Sequence, residues 1–350
     1  MRILLLGPYP PPHGGVEMNL VAIRRFLLAR QIPCEVINLT RFRKKAEKNV
    51  HYPANAWQLL ALLLRLRFDI AHLHIGGKVT WRLLGLGLLC SLLPGRRTVL
   101  TLHSGGYPAT PEGRNAHPRS LRGFLFRRFD RLIAVNPEIR DVFHRFGVPP
   151  WRTREICPFG FPGGDPGLQP PAGLEGFCRM HKPLLVTVSG LEPEYDVPVQ
   201  IEALGSILEK HPQAGLVIIG SGSLAAKIRD EIQQRPYAEH VLLCGDLPHA
   251  LTLWTVAQAA LFLRTTLYDG DAISVREALH LGVPVIATDT CLRPEGVRLI
   301  PARDLAALCR AILEALTHPE VRRRRWEADE SNLLAVWELY QEVLRKPEAR

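Results

Sequence analysis

The stretch RTTLYDGDAISVREALHLGVPVIATD, residues 264–289, decides the fold of the second half of the chain. It runs from an apolar strand through an acidic turn into a helix and on to a second apolar strand, the pattern of a parallel sheet. Ser274 and Glu277 form an S-x-x-E capping box, which predicts the start of the helix. The turn contains Asp269 and Asp271, and carboxylates are typical Mg²⁺ ligands, so a metal site is one reading of it.

Strands alternate with helical patterns on both sides of this stretch. The apolar runs that we predict as strands are RILLLG, CEVINL, DIAHLH, TVLTLH and RLIAV in the first half, and LLVTVSG, GLVIIG, VLLCGD and ALFLRTT in the second. This alternation predicts an α/β protein with two doubly wound, parallel-sheet, Rossmann-like domains. Between the two series lies PFGFPGGDPGLQPPAGLEG, whose Pro and Gly density indicates an interdomain linker.

These patterns predict a first domain over residues 1–165, a linker over 166–182 and a second domain over 183–330. A last helix follows over 331–350, and the N-terminal domain is its candidate packing partner. Doubly wound domains bind ligands outside the carboxyl ends of their strands. We therefore expect a ligand in a central cleft that the two domains face.

Composition limits the partners. The 350 residues have a formal net charge of +10, which favours an acidic partner such as nucleotide phosphates, an anionic membrane or nucleic acid. No zinc-finger spacing or aromatic RNA-binding motif is present, so we predict no nucleic-acid partner. Seven dispersed cysteines without a C-x-x-C pair indicate reduced thiols and a cytoplasmic protein. The basic stretch RFRKK, residues 41–45, leaves open a peripheral position on the inner face of an anionic membrane.

Three histidines and a glycine pair lie where predicted strands end. Gly14 and Gly15 would let backbone N–H groups approach an anion at the N-terminus of the first long helix, or would simply form a turn. His103 follows a strand, where it can donate to a substrate hydroxyl or phosphate, or be a hydrogen-bonded turn residue. We predict that His72 and His74 face opposite sides of their strand. Neither His103 with its neighbours nor the pair His72 and His74 has the arrangement of a metal site.

Five motifs in a fixed order resemble the family 4 glycosyltransferases over nearly the full chain: HGGVE, LHSGG, IEAL, IIGSG and DGDAISVREALHLGVPVIATD. The family's E-x7-E pattern falls on Asp269 and Glu277. The family consists of retaining enzymes with the GT-B fold, many of which build bacterial polysaccharides and glycolipids. The resemblance implies transfer from a nucleotide diphosphate sugar to a hydroxyl of a glycan or lipid-linked acceptor. It implies no metal and no cofactor, since metal-binding D-x-D motifs belong to the other major glycosyltransferase fold.

The resemblance also implies roles for single residues. Glu277 would accept hydrogen bonds from the donor's ribose, Asp269 would contact hydroxyls of the donor sugar, and His103 would touch the transferred sugar. The other residues would bind the donor through backbone groups near its sugar and diphosphate, and they are Gly14, Gly15, Gly220, Ala272, Ile273 and Ser274.

The sequence departs from the family pattern at two positions that carry cations in the family. The family's Arg and Lys, which neutralise the leaving diphosphate, fall on Gly190 and Tyr195. Arg264 and Arg276 are the candidate replacements, and we favour Arg264 because it ends a strand. An alternative is a catalytically silent nucleotide-sugar-binding protein. A second alternative is a nucleotide-sugar epimerase of the GT-B fold.

Overall fold

The computed structural model describes residues 1–10, 14–40, 47–165, 167–269, 271–290, 293–318 and 326–345. The chain forms two compact units. Unit 1 contains Met1–Gly160 together with Asp329–Arg350, and unit 2 contains Phe161–Ala328. Unit 1 is therefore discontinuous in sequence, because the chain passes through unit 2 before it supplies the last helix of unit 1.

Unit 1 is built on a seven-stranded sheet in which all neighbouring strands are parallel. Its strands are β1 (Ile3–Gly7), β2 (Cys34–Asn38), β3 (Val50–His51), β4 (Ile70–Ile75), β5 (Arg97–Leu102), β6 (Arg131–Ala134) and β7 (Thr153–Glu155). Their order across the sheet is β3-β2-β1-β4-β5-β6-β7. The sequence predicts the five central strands and misses the edge strands β3 and β7, which have only two and three residues.

Helices cover both faces of this sheet. They are α1 (Gly15–Ala29), α2 (Ala56–Arg65), α3 (Trp81–Leu92), α4 (Pro111–Arg114), α5 (Leu121–Phe126), α6 (Pro137–Arg145) and α13 (Ser331–Leu344). Alternate residues of a strand point to opposite faces. Leu4 and Leu6 of β1 accordingly pack with α2, α3, α5 and α6, whereas Ile3 and Leu5 pack with α1 and α13.

Unit 2 contains a six-stranded parallel sheet of order β10-β9-β8-β11-β12-β13. Its strands are β8 (Leu184–Val188), β9 (Gly215–Ile219), β10 (Val241–Gly245), β11 (Leu261–Arg264), β12 (Val285–Thr288) and β13 (Val297–Ile300). Its helices are α7 (Ala172–Met180), α8 (Val197–Leu208), α9 (Ala225–Gln233), α10 (His249–Ala257), α11 (Ile273–His280) and α12 (Leu305–Thr317). The strand order reverses between β8 and β11, which is the point where ligands bind in such sheets.

The stretch predicted as a linker, residues 166–182, contains helix α7 of unit 2. Leu174, Phe177 and Cys178 are buried there. Their spacing is that of one helical face, so burial of this face within unit 2 stabilises a helix in a sequence whose Pro and Gly content indicates a loop. Among the described residues, no helix is long and apolar enough to cross a membrane.

A buried histidine joins α13 to the sheet of unit 1. The Nδ1 atom of His72, on β4, lies 2.6 Å from the hydroxyl of Tyr340, and its Nε2 atom lies 2.7 Å from the hydroxyl of Thr101. Desolvation, helped by the nearby His103, lowers the pKa of His72 to about 3. His72 therefore stays neutral in the folded protein at pH values at which a free histidine is charged.

This burial predicts a loss of stability in mild acid. The unfolded chain binds a proton at His72 below about pH 6.5, whereas the folded state does not until about pH 3. The contribution of His72 to the free energy of unfolding should therefore fall by roughly 1.4 kcal/mol per pH unit as the pH is lowered between these values, and should be constant above pH ~6.5. Urea unfolding followed by circular dichroism at several pH values measures this slope.

His72→Gln should flatten the slope, because glutamine can hydrogen-bond but does not titrate in this range. The matched control is His117→Gln, since His117 is an exposed residue of the same unit. Equal slopes in the wild type and in His72→Gln would contradict the prediction.

Candidate functional site

The acidic motif lies at the switch point of unit 2, in the loop after β11. The Asp269 carboxylate binds two guanidinium groups. Its oxygens lie 3.0 Å from Nε and 3.3 Å from Nη2 of Arg264, and 2.9 Å from Nη1 of Arg293. All three side chains are largely withdrawn from solvent. Gly270, the middle residue of the DGD motif, lies outside the described residues.

These two guanidiniums decide the charge of Asp269. Burial acts to raise the pKa of a carboxyl group, but Arg264 and then Arg293 outweigh it, and the pKa of Asp269 is lowered. Asp269 is therefore a carboxylate at neutral pH, which accepts hydrogen bonds and cannot act as an acid. Its contact with a donor sugar stays a prediction.

Arg264 ends β11, but its guanidinium is already bonded within the protein. Besides the two bonds to Asp269, Nη1 donates to the carbonyl of Val188 over 2.9 Å. The ring of Tyr195 lies 4.9 Å from Cζ of Arg264, and a Cβ atom at Gly190 would lie 2.9 Å from that ring. The two positions that lack the family's cations therefore contact each other, and Tyr195 contacts Arg264.

Arg293 belongs to this cluster, and the sequence does not predict it. Its Nε donates to the carbonyl of Thr288 over 3.0 Å, while its Nη2 is buried and has no partner among the described residues. Arg293 follows Asp269 by 24 residues and reaches it because β12 pairs with β11. No local pattern indicates this contact, since it depends on the order of the strands.

Glu277 does not form the predicted capping box. Helix α11 begins at Ile273, its N-cap is Ala272, and no side chain of that N-cap bonds to the helix. Ser274 is thus the second residue of the helix, where its hydroxyl cannot cap the helix N-terminus. The buried Glu277 instead places Oε1 2.6 Å from Nε2 of His249, the first residue of α10. The sequence does not predict His249 because it lies on a different helix.

An ion pair between Arg276 and Asp271 flanks the start of α11. Nε of Arg276 lies 2.6 Å from Oδ1 of Asp271, whose side chain is buried. The negative charge of Asp271 lies close to the helix N-terminus, where the helix dipole stabilises it. The first-turn N–H groups, from Ala272 to Ser274, lack partners within the helix and are the groups predicted to bind an anion. In the described part of the chain, no group of three or more His, Cys, Asp or Glu side chains could hold a metal ion.

Gly220 forms a tight turn after β9. Its φ of +133° is a conformation that glycine adopts readily, and a Cβ atom there would lie 2.0 Å from the carbonyl oxygen of Ser189. Its N–H group donates to the carbonyl of Gly245 over 2.8 Å. A nucleotide-sugar could bind to this N–H group only if the hydrogen bond to Gly245 were broken, so its binding by Gly220 stays a prediction.

In unit 1, the glycine pair starts helix α1. Gly14 is the N-cap and Gly15 is the first helical residue. The carboxylate of Glu17 folds back on this end of the helix and accepts hydrogen bonds from the N–H groups of Gly14 and of Glu17 itself. Burial raises the pKa of Glu17, and these two hydrogen bonds partly offset the effect. The described residues begin again at Gly14, so His13 of the HGGVE motif is outside them.

The prediction that His72 and His74 face opposite sides of β4 is wrong. Residues two apart in a strand share a face, and their ring centroids are 4.0 Å apart. Nδ1 of His74 lies 3.2 Å from Nε2 of His103, which follows β5. Desolvation lowers the pKa of His103 to about 3, so its ring is neutral at pH 7. The structure therefore brings His103 together with two histidines that were not predicted to belong to one cluster.

The sequence matches two family models in consecutive stretches. Residues 13–159 match the model described as Glycosyltransferase Family 4, and residues 178–330 match the model described as Glycosyl transferases group 1. A phosphatidyl-myo-inositol mannosyltransferase of Mycobacterium leprae is 30% identical over 44% of this chain and 42% of its own length. This chain spans less than half the length of each curated relative that it matches.

Solved structures share the fold at low sequence identity. Sucrose-phosphate synthase from Thermosynechococcus elongatus superposes with a TM-score of 0.70 and 17% identity, covering 98% of this chain and 99% of that one. The Anabaena HepE protein, solved in complex with UDP-glucose, superposes with a TM-score of 0.66 and 16% identity, covering 98% of each chain. With both halves matched and two parallel-sheet domains present, the chain belongs to the family 4 glycosyltransferases of the GT-B fold.

Proposed function

We propose that the chain transfers a sugar from a nucleotide diphosphate sugar to a hydroxyl of a glycan or lipid-linked acceptor, with retention of anomeric configuration and without a metal ion. The observation that carries the proposal is the cluster of Asp269, Arg264 and the N-terminus of α11 at the switch point of unit 2. UDP-glucose bound to Anabaena HepE supports a nucleotide-sugar donor. The Mycobacterium leprae relative, named for phosphatidyl-myo-inositol, supports a lipid-linked acceptor.

The cluster can stabilise charge that develops on a leaving diphosphate. First-turn N–H groups at Ala272, Ile273 and Ser274 provide donors on a helix dipole, and Arg264 provides a fixed cation. The guanidinium is held by Asp269 and Val188, so it needs no reorganisation when charge appears. The proposed catalysis is therefore electrostatic and needs no protein nucleophile.

The pairing of the acids supports transfer without a metal. A divalent cation in this motif would need carboxylate oxygens as ligands. Those of Asp269 are bound by Arg264 and Arg293, and Asp271 is bound by Arg276. A metal ion would have to displace these guanidiniums, which are positively charged themselves.

The test of function is a transfer assay with a panel of UDP-, GDP-, ADP- and dTDP-sugars, preceded by a thermal-shift screen of the same donors. A bound donor raises the apparent unfolding temperature. We expect one donor class to stabilise the protein and to be consumed equally with or without excess EDTA, giving a product of retained anomeric configuration. Loss of turnover in EDTA that Mn²⁺ restores would contradict the metal-free mechanism.

A silent nucleotide-sugar binder is a second candidate, because Gly190 and Tyr195 replace the family's diphosphate-binding cations. The same assay separates the two functions. Donor binding without transfer or donor hydrolysis, whichever acceptor is supplied, would identify the binder.

Glu277→Gln should weaken donor binding by ~1–3 kcal/mol, the contribution of a hydrogen bond to a charged group, if the carboxylate contacts the ribose. Calorimetry with the donor from the screen measures this change. His249→Gln is the matched control, since it removes the imidazole beside Glu277 but leaves the carboxylate. Unchanged affinity in Glu277→Gln, together with a lower unfolding temperature in both variants, would instead indicate a purely structural hydrogen bond.

Arg264→Met should lower kcat by ~10²–10³, the range for losing one fixed donor to a transition state. Restoring the family's pair in this background, with Gly190→Arg and Tyr195→Lys, should recover part of the lost rate. The restoration is sterically reasonable because the atoms that a side chain at position 190 would meet belong to the Tyr195 ring.

The matched control is Arg276→Met, which removes a cation from the same motif but not from the Asp269 cluster. We expect a smaller change in kcat for this variant. An Arg264→Met enzyme with the wild-type rate would refute the relocated cation. If the triple variant Gly190→Arg, Tyr195→Lys, Arg264→Met is no faster than Arg264→Met alone, positive charge at positions 190 and 195 is insufficient to restore the rate.

We propose that unit 1 binds an anionic membrane through the outer surface of α2, α3 and α5. These helices contain no Asp or Glu, and they contribute the exposed Arg65 and Arg82. Large apolar side chains are exposed on them: Trp57, Leu64, Trp81, Leu92, Leu121 and Phe124. Exposed apolar groups flanked by cations favour an anionic lipid surface. The basic stretch 41–45 lies outside the described residues.

Leu64→Glu should reduce cosedimentation with vesicles that contain anionic lipid by roughly tenfold, from the lost burial of one leucine. Leu334→Glu is the matched control, because Leu334 is an exposed leucine of α13, on the opposite face of the sheet. Neutral vesicles should bind the wild type weakly. Equal binding by the two variants would contradict this surface.

A further inference from the structure

His74 and His103 meet where two adjacent strands of unit 1 end. In the register of β4 and β5, His74 is opposite Thr101, and His103 follows two residues later. The two rings are stacked with centroids 5.4 Å apart, and Nδ1 of His74 lies 3.2 Å from Nε2 of His103. The other nitrogen of each ring has a different surrounding. Nε2 of His74 is buried without a partner among the described residues, whereas Nδ1 of His103 is not among such buried atoms.

We propose that His74 is a positioning residue that fixes His103 in the tautomer with its hydrogen on Nδ1, so that His103 presents an N–H donor to its ligand. The inference rests on the proposed function only in taking that ligand to be the transferred sugar. The tautomer itself follows from the hydrogen bonds within unit 1.

The position of the single hydrogen on each neutral ring distinguishes two arrangements of the His74–His103 pair. A neutral imidazole has one N–H donor and one bare nitrogen acceptor. If His103 donated from Nε2, Nδ1 of His74 would be the acceptor, and the hydrogen of His74 would lie on the buried, unpartnered Nε2. If His74 donates from Nδ1, the buried Nε2 is a bare acceptor. Buried N–H groups without a partner are rarer than unsatisfied acceptors, so the second arrangement is favoured.

The count holds only if both rings are neutral, and their environment makes them so. Desolvation lowers the pKa of His74 well below its ordinary value, and the neighbouring His72 and His103 add to this effect. Desolvation also lowers the pKa of His103. An imidazolium at either position would place a positive charge in largely buried surroundings, which disfavours protonation.

His72 holds the arrangement in place. Its ring lies against that of His74, with centroids 4.0 Å apart. Both of its nitrogens are bonded, one to Tyr340 and the other to Thr101. The His74 ring is therefore packed between two other rings, which restricts the rotation that would turn Nδ1 away from His103.

The tautomer determines what His103 can do. An Nδ1–H group donates to an oxygen lone pair, such as that of a sugar hydroxyl or a carbonyl, and cannot remove a proton from an attacking hydroxyl. His103 would thus bind and orient its ligand and would not be a general base.

The direct test is a long-range ¹H–¹⁵N correlation spectrum of the full chain labelled with ¹⁵N-histidine, recorded without ligand at pH 7. The spectrum distinguishes the two neutral tautomers by the shifts of the two ring nitrogens. The signals of His103 among the 13 histidines are those that disappear in His103→Gln. We expect a single Nδ1–H form of His103. An Nε2–H form, or a mixture of the two, in the wild type would overturn the proposal without any further variant.

Two replacements of His74 test its role. His74→Asn keeps an N–H donor near the place of Nδ1 and should keep the Nδ1–H form of His103. His74→Phe keeps an aromatic ring without a donor, and His103 should then become a mixture of tautomers. A pure Nδ1–H form in His74→Phe would show that another group fixes it. These spectra need neither the sugar donor nor the sugar acceptor. Their outcome therefore does not depend on whether the proposed transferase activity is found.

Discussion

A carboxylate withdrawn from water has to be paired with charge, and Asp269 meets this requirement through Arg264 and Arg293. The two arginines connect Asp269 to the ends of the two strands that flank β11, since Arg264 bonds to the last residue of β8 and Arg293 to the last residue of β12. The order of strands in unit 2 therefore has to be correct before the ion pairs can form. Removing one partner from a buried group of charges typically costs ~3–5 kcal/mol, so this constraint on the site is strict.

The same cluster gives a physical reason for the unusual residues after β8. A side chain at position 190 would meet the ring of Tyr195, and that ring lies over the guanidinium of Arg264. The glycine, the tyrosine and the arginine are thus one packed arrangement. A guanidinium stacked on an aromatic ring keeps its charge and loses freedom to move, which suits a fixed electrostatic role.

The sequence predicts those features that depend on local pattern. Apolar runs locate ten strands, nine of them central and the tenth the edge strand β10, and ordered motifs identify the family and the region around α11. It misses β3, β7 and β13, since short edge strands with partly exposed residues have no distinct pattern. It also misses Arg293 and His249, whose contacts are made across strands and helices far apart in sequence. The errors at Ser274 and at the paired histidines of β4 are different. The helix begins one residue before Ser274, and residues two apart in a strand share a face.

The discontinuity of unit 1 has a consequence for how the chain is made. Unit 2 is one continuous segment, so it can fold as soon as it has left the ribosome, whereas one face of the unit 1 sheet waits for α13. Until then the apolar surface that later covers Leu339 and Tyr340 is open to water. Nascent chains with such an uncovered face are the species that chaperones bind and that aggregate when synthesis stalls. Packing of α13 thus determines when the apolar face of newly made unit 1 is covered and no longer promotes aggregation.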